Sequence, residues 1–255
     1  MSIAYEVTDG IAEIRFDRPD KLNALTLAMY EQLGEAWIQA RDDPGVRVVL
    51  LTGAGDRAFC VGADLHESIP ALADDRFDIS QWDPAHLKRV PFFKPIVAAV
   101  NGLCLGGGLE ILLATDIRIA SSTASFGFPE PTMGFVPAGG TLVRLQRQIG
   151  YAPAMEILLT GERFDAAHMQ RIGVVNRVVP PEELAAVARS CAERVAALSS
   201  QALQTIKESV LTLGDLPLDE AFAREAELGQ RTFTSDDARA GLRAFADRRA
   251  ADART

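Results

Sequence analysis

The sequence predicts an α/β fold with parallel strand pairing, closed at its C-terminal end by a helical tail. Three observations carry that prediction. Buried-strand signals recur at residues 46–52, 95–100, 116–120 and 174–179. Helical patterns lie among them, such as Met29, Leu33, Ala36, Trp37 and Ala40, and strands alternating with helices favour parallel pairing with both sheet faces covered. From Glu182 onward the chain reads as helical throughout: Leu184, Val187, Ala188, Cys191, Val195 and Leu198 keep the i, i+3, i+4, i+7 spacing, and Ala238, Leu242, Phe245 and Ala246 resume it.

Taken in order, Ile3, Tyr5 and Val7 followed by Ile11, Ile14 and Phe16 around Asp9-Gly10 read as a β-hairpin. The strand at 46–52 leads into the turn Gly53-Ala54-Gly55-Asp56 and the small-residue segment Phe59-Cys60-Val61-Gly62-Ala63-Asp64-Leu65. Residues 53–58 match the loose glycine pattern of dinucleotide-binding folds, but such a fingerprint must open directly into a helix, and no helix start follows here. The segment 67–93 mixes acids (Asp74, Asp75, Asp78, Asp83) with Phe77, Ile79, Trp82, Phe92 and Phe93 and carries no clear period.

The most informative stretch is 101–110, where Gly106-Gly107-Gly108 precede Leu109 and Glu110 between a buried strand and a helix start. Glycines admit a ligand close to the backbone, and the first turn of a helix presents N–H groups that no intrahelical carbonyl accepts. Glu110 then sits beside whatever those groups hold. Close strand–helix packing with a solvated Glu110 is the plainer reading of the same glycines. A second carboxylate, Glu130, stands between Pro129 and Pro131, which narrows its range of conformations.

Composition sets the outer limits. The 255 residues are 48% hydrophobic and 24% charged, enough to bury a large core in one domain or one domain with an appendage. A net charge of −9 argues against nucleic acid and anionic membranes as partners. No signal or transit peptide is read at the N-terminus, and the longest apolar run is too short and broken to span a bilayer, so the expected location is cytoplasmic. Cys60, Cys104 and Cys191 are too scattered for a disulfide framework or a zinc cluster, and Cys60 and Cys104 read as small buried thiols. His66, His86 and His168 show no ligand spacing, and no Gly-x-Ser-x-Gly elbow accompanies them, so neither a metal nor covalent catalysis is expected.

In its order of motifs the chain resembles the crotonase superfamily, the enoyl-CoA hydratase/isomerase group, over nearly its whole length. The resemblance is carried by Asp17-Arg18-Pro19-Asp20-Lys21-Leu22-Asn23-Ala24-Leu25, by residues 59–65 and 101–110, and by Pro129-Glu130 and Gly139-Gly140-Thr141. Leu159-Thr160-Gly161, Gly173-Val174-Val175-Asn176 and Ala244-Phe245 follow in the same order. It implies a crotonase-like spiral of repeated ββα units, with a catalytic core over 1–195 and a helical region over 196–255 that assembles trimers, which pair into hexamers. Folding of those helices back on their own chain would serve the apolar stripes equally well.

The resemblance further implies that the Ala63 and Gly107 N–H groups form an oxyanion hole for a thioester carbonyl, and that Glu110 and Glu130 are the acid–base pair. Glu110 then acts as base toward water and Glu130 as acid toward Cα, though both could share the water. Coenzyme A, part of the substrate rather than a separate cofactor, is assigned to Arg18, Lys21, Ala24, Ala63, Asp64, Leu65 and Lys207. The implied activity is hydration of a 2-enoyl-CoA to 3-hydroxyacyl-CoA. Double-bond isomerisation, dehydration of 3-hydroxyacyl-CoA and catalytically silent acyl-CoA binding are the alternatives on the same site. Two acidic residues favour hydration, because isomerisation needs only one. Phe128 stands where many hydratases of the group have glutamine, which puts ordinary short-chain specificity in doubt, and the 67–93 segment is expected to line the acyl pocket.

Overall fold

A computed structural model of the chain describes residues 2–252, with 73 and 75 excepted, so Asp75 lies outside the described residues. Strands β1 (Ser2–Thr8) and β2 (Ile11–Asp17) form the N-terminal hairpin. Its turn residues Asp9 and Gly10 have φ of 53° and 78°, the left-handed pair whose twist matches that of the strands it joins. Helix α1 (Leu27–Asp42) starts where the Thr26 side chain accepts from the Met29 N–H, and it buries Met29, Leu33, Trp37 and Ala40.

Three strand pairs then repeat one plan. They are β3 (Val48–Gly53) with β4 (Ala58–Cys60), β5 (Ile96–Val100) with β6 (Leu103–Leu105), and β7 (Ile117–Ser121) with β8 (Ser125–Gly127). Helix α2 (Ser68–Leu72) follows the first pair, α3 (Gly107–Leu112) the second, and α4 (Thr141–Ile149) with α5 (Tyr151–Thr160) the third. After them come β9 (Phe164–Asp165), α6 (Ala166–Arg171) and β10 (Arg177–Val179). In each pair the first strand joins a six-stranded sheet, β1-β2-β3-β5-β7-β10, and the second a four-stranded sheet, β4-β6-β8-β9. From β2 to β10 the larger sheet is parallel. This is the spiral of ββα units that the resemblance implies.

The larger core lies between the two sheets and under α1, with Phe16, Phe59, Phe126 and Trp37 fully buried. A second core covers the other face of the large sheet, where Leu184, Ala188 and Cys191 of α7 (Leu184–Ala196) meet Val48, Leu50, Val97 and Ile119. Three more helices close the chain: α8 (Ser200–Leu213), α9 (Leu218–Phe233) and α10 (Asp236–Asp252). The tail is helical as expected but broken into four pieces, and the Ser199 side chain caps α8 by accepting from the Ala202 N–H. The strand expected over 174–179 is shorter than its apolar run. Val174 and Val175 turn their N–H groups back to the Met169 carbonyl, leaving Arg177–Val179 to pair with β7.

Candidate active site

Two chain turns meet at the mouth of the small sheet. Gly106, with φ 50°, caps α3 in a conformation closed to L side chains, and its own N–H donates to the Gly127 carbonyl. A methyl group on Gly108 would overlap the Cys60 carbonyl oxygen, so α3 packs against β4 only with glycine there. Facing α3 is the turn at Gly62-Ala63. The Leu25 N–H donates to the Gly62 carbonyl and the Asp64 N–H to the Leu25 carbonyl, so the Ala63 N–H between them faces the other way, without a backbone acceptor among the described residues. Gly107 opens α3, so its N–H has no intrahelical acceptor either. The two turns touch: a methyl group on Gly62 would stand 2.7 Å from the Gly107 nitrogen, and one on Gly107 would stand 3.7 Å from the Ala63 nitrogen.

Two carboxyl groups face the same space from different elements. Glu110 is 6% exposed. Its Oε1 accepts from the Gly139 N–H at 2.6 Å and the Thr141 hydroxyl at 3.1 Å, and its Oε2 lies 3.8 Å from His86 Nε2. Burial, with the charge of nearby Glu130 added, raises its pKa to about 7, against the pull of those two donors. Glu130 stands in the turn after β8, and its carboxyl pKa is raised to about 7 by burial. Its Oε1 lies where a methyl group on Gly106 would come within 2.7 Å, and its Oε2 is buried without a hydrogen-bond partner. Near neutrality each of the two groups is present in both protonated and ionised forms, so the site can offer an acid and a base at once. His86 adds no positive charge. Its Nδ1 lies 2.9 Å from the Trp82 carbonyl, which suits the neutral ring with that nitrogen protonated, and burial lowers its pKa to about 4.

The enclosing cavity has a volume of about 840 Å³, and its wall includes both glutamates, Gly106 and Gly107. Of the residues assigned to coenzyme A, Lys21, Ala24, Ala63, Asp64 and Leu65 line it. Arg18 and Lys207 do not line it. The Arg18 guanidinium is held by Asp64 Oδ2 at 2.5 Å and the Ala24 carbonyl at 3.1 Å, where it braces the turn that carries Ala63. Lys207 Nζ is taken up by Asp116 Oδ2 at 2.8 Å and the Lys94 carbonyl at 3.0 Å, because α8 lays that face beside the start of β5 and β7, bordering a separate groove. The 67–93 segment divides in the same way: Phe77, Ile79 and Trp82 line the cavity, whereas Phe92 and Phe93 border the groove beside Lys207. Phe128 is fully buried in the core rather than on the cavity wall. Cys60 and Cys104 are buried as expected, and burial pushes the Cys60 thiol up to about 12, far from a ready thiolate.

Four residues at the site were not singled out by chemistry in the sequence. Gly139 and Thr141 hold Glu110, and their only signal was the Gly-Gly-Thr motif. Tyr30 and His86 reach the cavity from separate elements, and no local pattern marks either one. Asn23 and Asn101 brace the entry turns, each donating from Nδ2 to the Ala58 carbonyl, at 2.8 and 3.1 Å.

The enoyl-CoA hydratase/isomerase family model matches residues 6–254 of the chain. The chain is 36% identical over 250 residues to (E)-benzylidenesuccinyl-CoA hydratase of Thauera aromatica, covering 98% of each sequence. It is 38% identical over 241 residues to enoyl-CoA hydratase EchA19 of Mycobacterium tuberculosis, covering 93% of this chain and 90% of that one. The crystal structure of an enoyl-CoA hydratase from Bacillus anthracis superposes with a TM-score of 0.89 at 33% identity, covering 96% of both chains. With its spiral of ββα units, its facing glycine turns and this full-length similarity, the chain belongs to the enoyl-CoA hydratase/isomerase family.

Proposed function

We propose that the protein hydrates 2-enoyl-CoA thioesters to 3-hydroxyacyl-CoA. One observation carries the reading: two carboxyl groups with raised pKa face one cavity beside two unpartnered backbone N–H groups. Water adding at Cβ sends the double-bond electrons to the thioester oxygen, and the Ala63 and Gly107 N–H groups hold the charge that develops there. Such preorganised donors in a dry site are worth several kcal/mol, roughly 3 for each. Glu110 removes a proton from the water through Oε2, the oxygen left free by Gly139 and Thr141. Glu130, in the fraction that burial keeps protonated near neutrality, delivers a proton to Cα. In the reverse direction the same pair dehydrates 3-hydroxyacyl-CoA. Isomerisation or silent binding would leave one or both carboxyl groups without a task.

Coenzyme A is part of the substrate, and the reaction calls for no separate cofactor. Lys21, with Ala24, Ala63, Asp64 and Leu65, forms the lip that its pantetheine and phosphates cross. Residues 1–195 supply the catalytic core and 196–255 the trimerisation region, with hexamers formed from paired trimers. A cytoplasmic location suits three unpaired buried cysteines. Among the described residues no helix is long and apolar enough to cross a membrane.

Incubation with crotonyl-CoA and longer 2-enoyl-CoAs tests the activity directly. Loss of the conjugated absorbance with formation of 3-hydroxyacyl-CoA is expected, and an unchanged absorbance across the series would refute hydration.

A further inference from the structure

Tyr30 stands in the buried stripe of α1 between Met29 and Leu33, yet it ends in a hydroxyl that the core does not use. Its ring is stacked on Trp82, with centroids 4.1 Å apart and planes 8° from parallel, and His86 lies 5.6 Å away. The residue is 3% exposed and lines the cavity. Among the described residues no side chain or backbone group hydrogen-bonds its hydroxyl, which leaves that group available to whatever occupies the cavity. The position of that oxygen is specific: a methyl group on Gly107 would stand 2.9 Å from it and 3.7 Å from the Ala63 nitrogen. The phenol oxygen therefore stands beside Gly107, on the side of that residue to which the Ala63 turn also comes close.

We propose that the Tyr30 hydroxyl is a third donor to the thioester oxygen, completing the hole formed by the Ala63 and Gly107 N–H groups. This rests on the hydration reading above, where charge builds on that oxygen. The phenol keeps its proton throughout and only donates a hydrogen bond. Burial first, then the neighbouring Cys60, Glu110 and Glu130, holds its pKa well above the ordinary value of 10, so it remains a donor at neutral pH. The Trp82 stack limits the ring's freedom, which keeps the donor in place before substrate arrives.

Tyr30→Phe removes the oxygen and retains the ring that stacks on Trp82. The variant is expected to keep the parent's melting temperature within a few degrees and its KM within about threefold, while kcat falls about tenfold or more. A packing role would not move the second readout, the infrared stretch of the thioester carbonyl in bound enoyl-CoA carrying carbon-13 at that position. The parent should shift that band to lower frequency, and Tyr30→Phe should lose part of the shift. A parent that shifts the band without hydrating the substrate would defeat the hydration reading and leave Tyr30 to be judged on the band alone. A folded Tyr30→Phe protein with the parent's carbonyl frequency would overturn the proposal, whatever its rate.

Discussion

Helix α3 and the C-terminal helices treat apolar surface in opposite ways. In α3, Leu109, Ile111 and Leu112 are no more than 1% exposed, and the glycines beside them admit backbone where a side chain would not fit. In α8 and α9, Val210 is 74% exposed and Phe233 79%, with Leu211, Leu218 and Phe222 also open. Apolar residues exposed together in this way suit a surface for another molecule to cover, and the mass measurement below tests that reading. The contrast teaches that the wall of the cavity comes from residues 21–163, whereas the tail carries apolar surface that the single chain leaves uncovered.

The largest effect is expected where α3 meets β4. Gly108→Ala drives a methyl group into the Cys60 carbonyl, which backbone on both sides holds in place. A loss of about 3 kcal/mol of stability or more is expected, at the upper end of overpacking costs. Equilibrium urea unfolding measures it, and a variant as stable as the parent would show that α3 is not closely fitted. A smaller effect on the fold, though a large one on mass, is expected in the tail. Sedimentation of the parent should give a trimer or hexamer, and removal of the residues after Asp236 should weaken that assembly. A stable monomer at micromolar concentration would instead make the exposed stripes an ordinary surface.

What the sequence revealed of this comparison depends on how locally each feature is encoded. The glycine triplet, its flanking strand and Glu110 lie within residues 95–110, so strand, turn, helix and carboxylate could be read together. Glu130 was legible for the same reason, held between two prolines. The helical stripes of the tail were readable as periodicity, although Ser199 and Pro217 at the starts of α8 and α9 divide what read as one run. The charged residues were harder to place. Arg18 finds Asp64, 46 positions later, and Lys207 finds Asp116, 91 positions earlier, so their partners emerge only when the sheets assemble. Tyr30 and His86 were illegible as site residues for a related reason: α1 and the 67–93 segment come together only on folding, where Tyr30 stacks on Trp82 beside the His86 ring and Trp37 Nε1 donates to the Ala85 carbonyl.

The central claim is that both carboxyl groups take part in adding water. It is tested most directly by hydration rates of Glu110→Gln and Glu130→Gln, each first shown to be folded and to bind acyl-CoA. Each variant should lose at least about a hundredfold in kcat, the usual scale for a general acid or base, while affinity for acyl-CoA changes little. If either variant hydrates enoyl-CoA at the parent rate, that residue has no part in the proton transfers, and the two-carboxyl account is wrong.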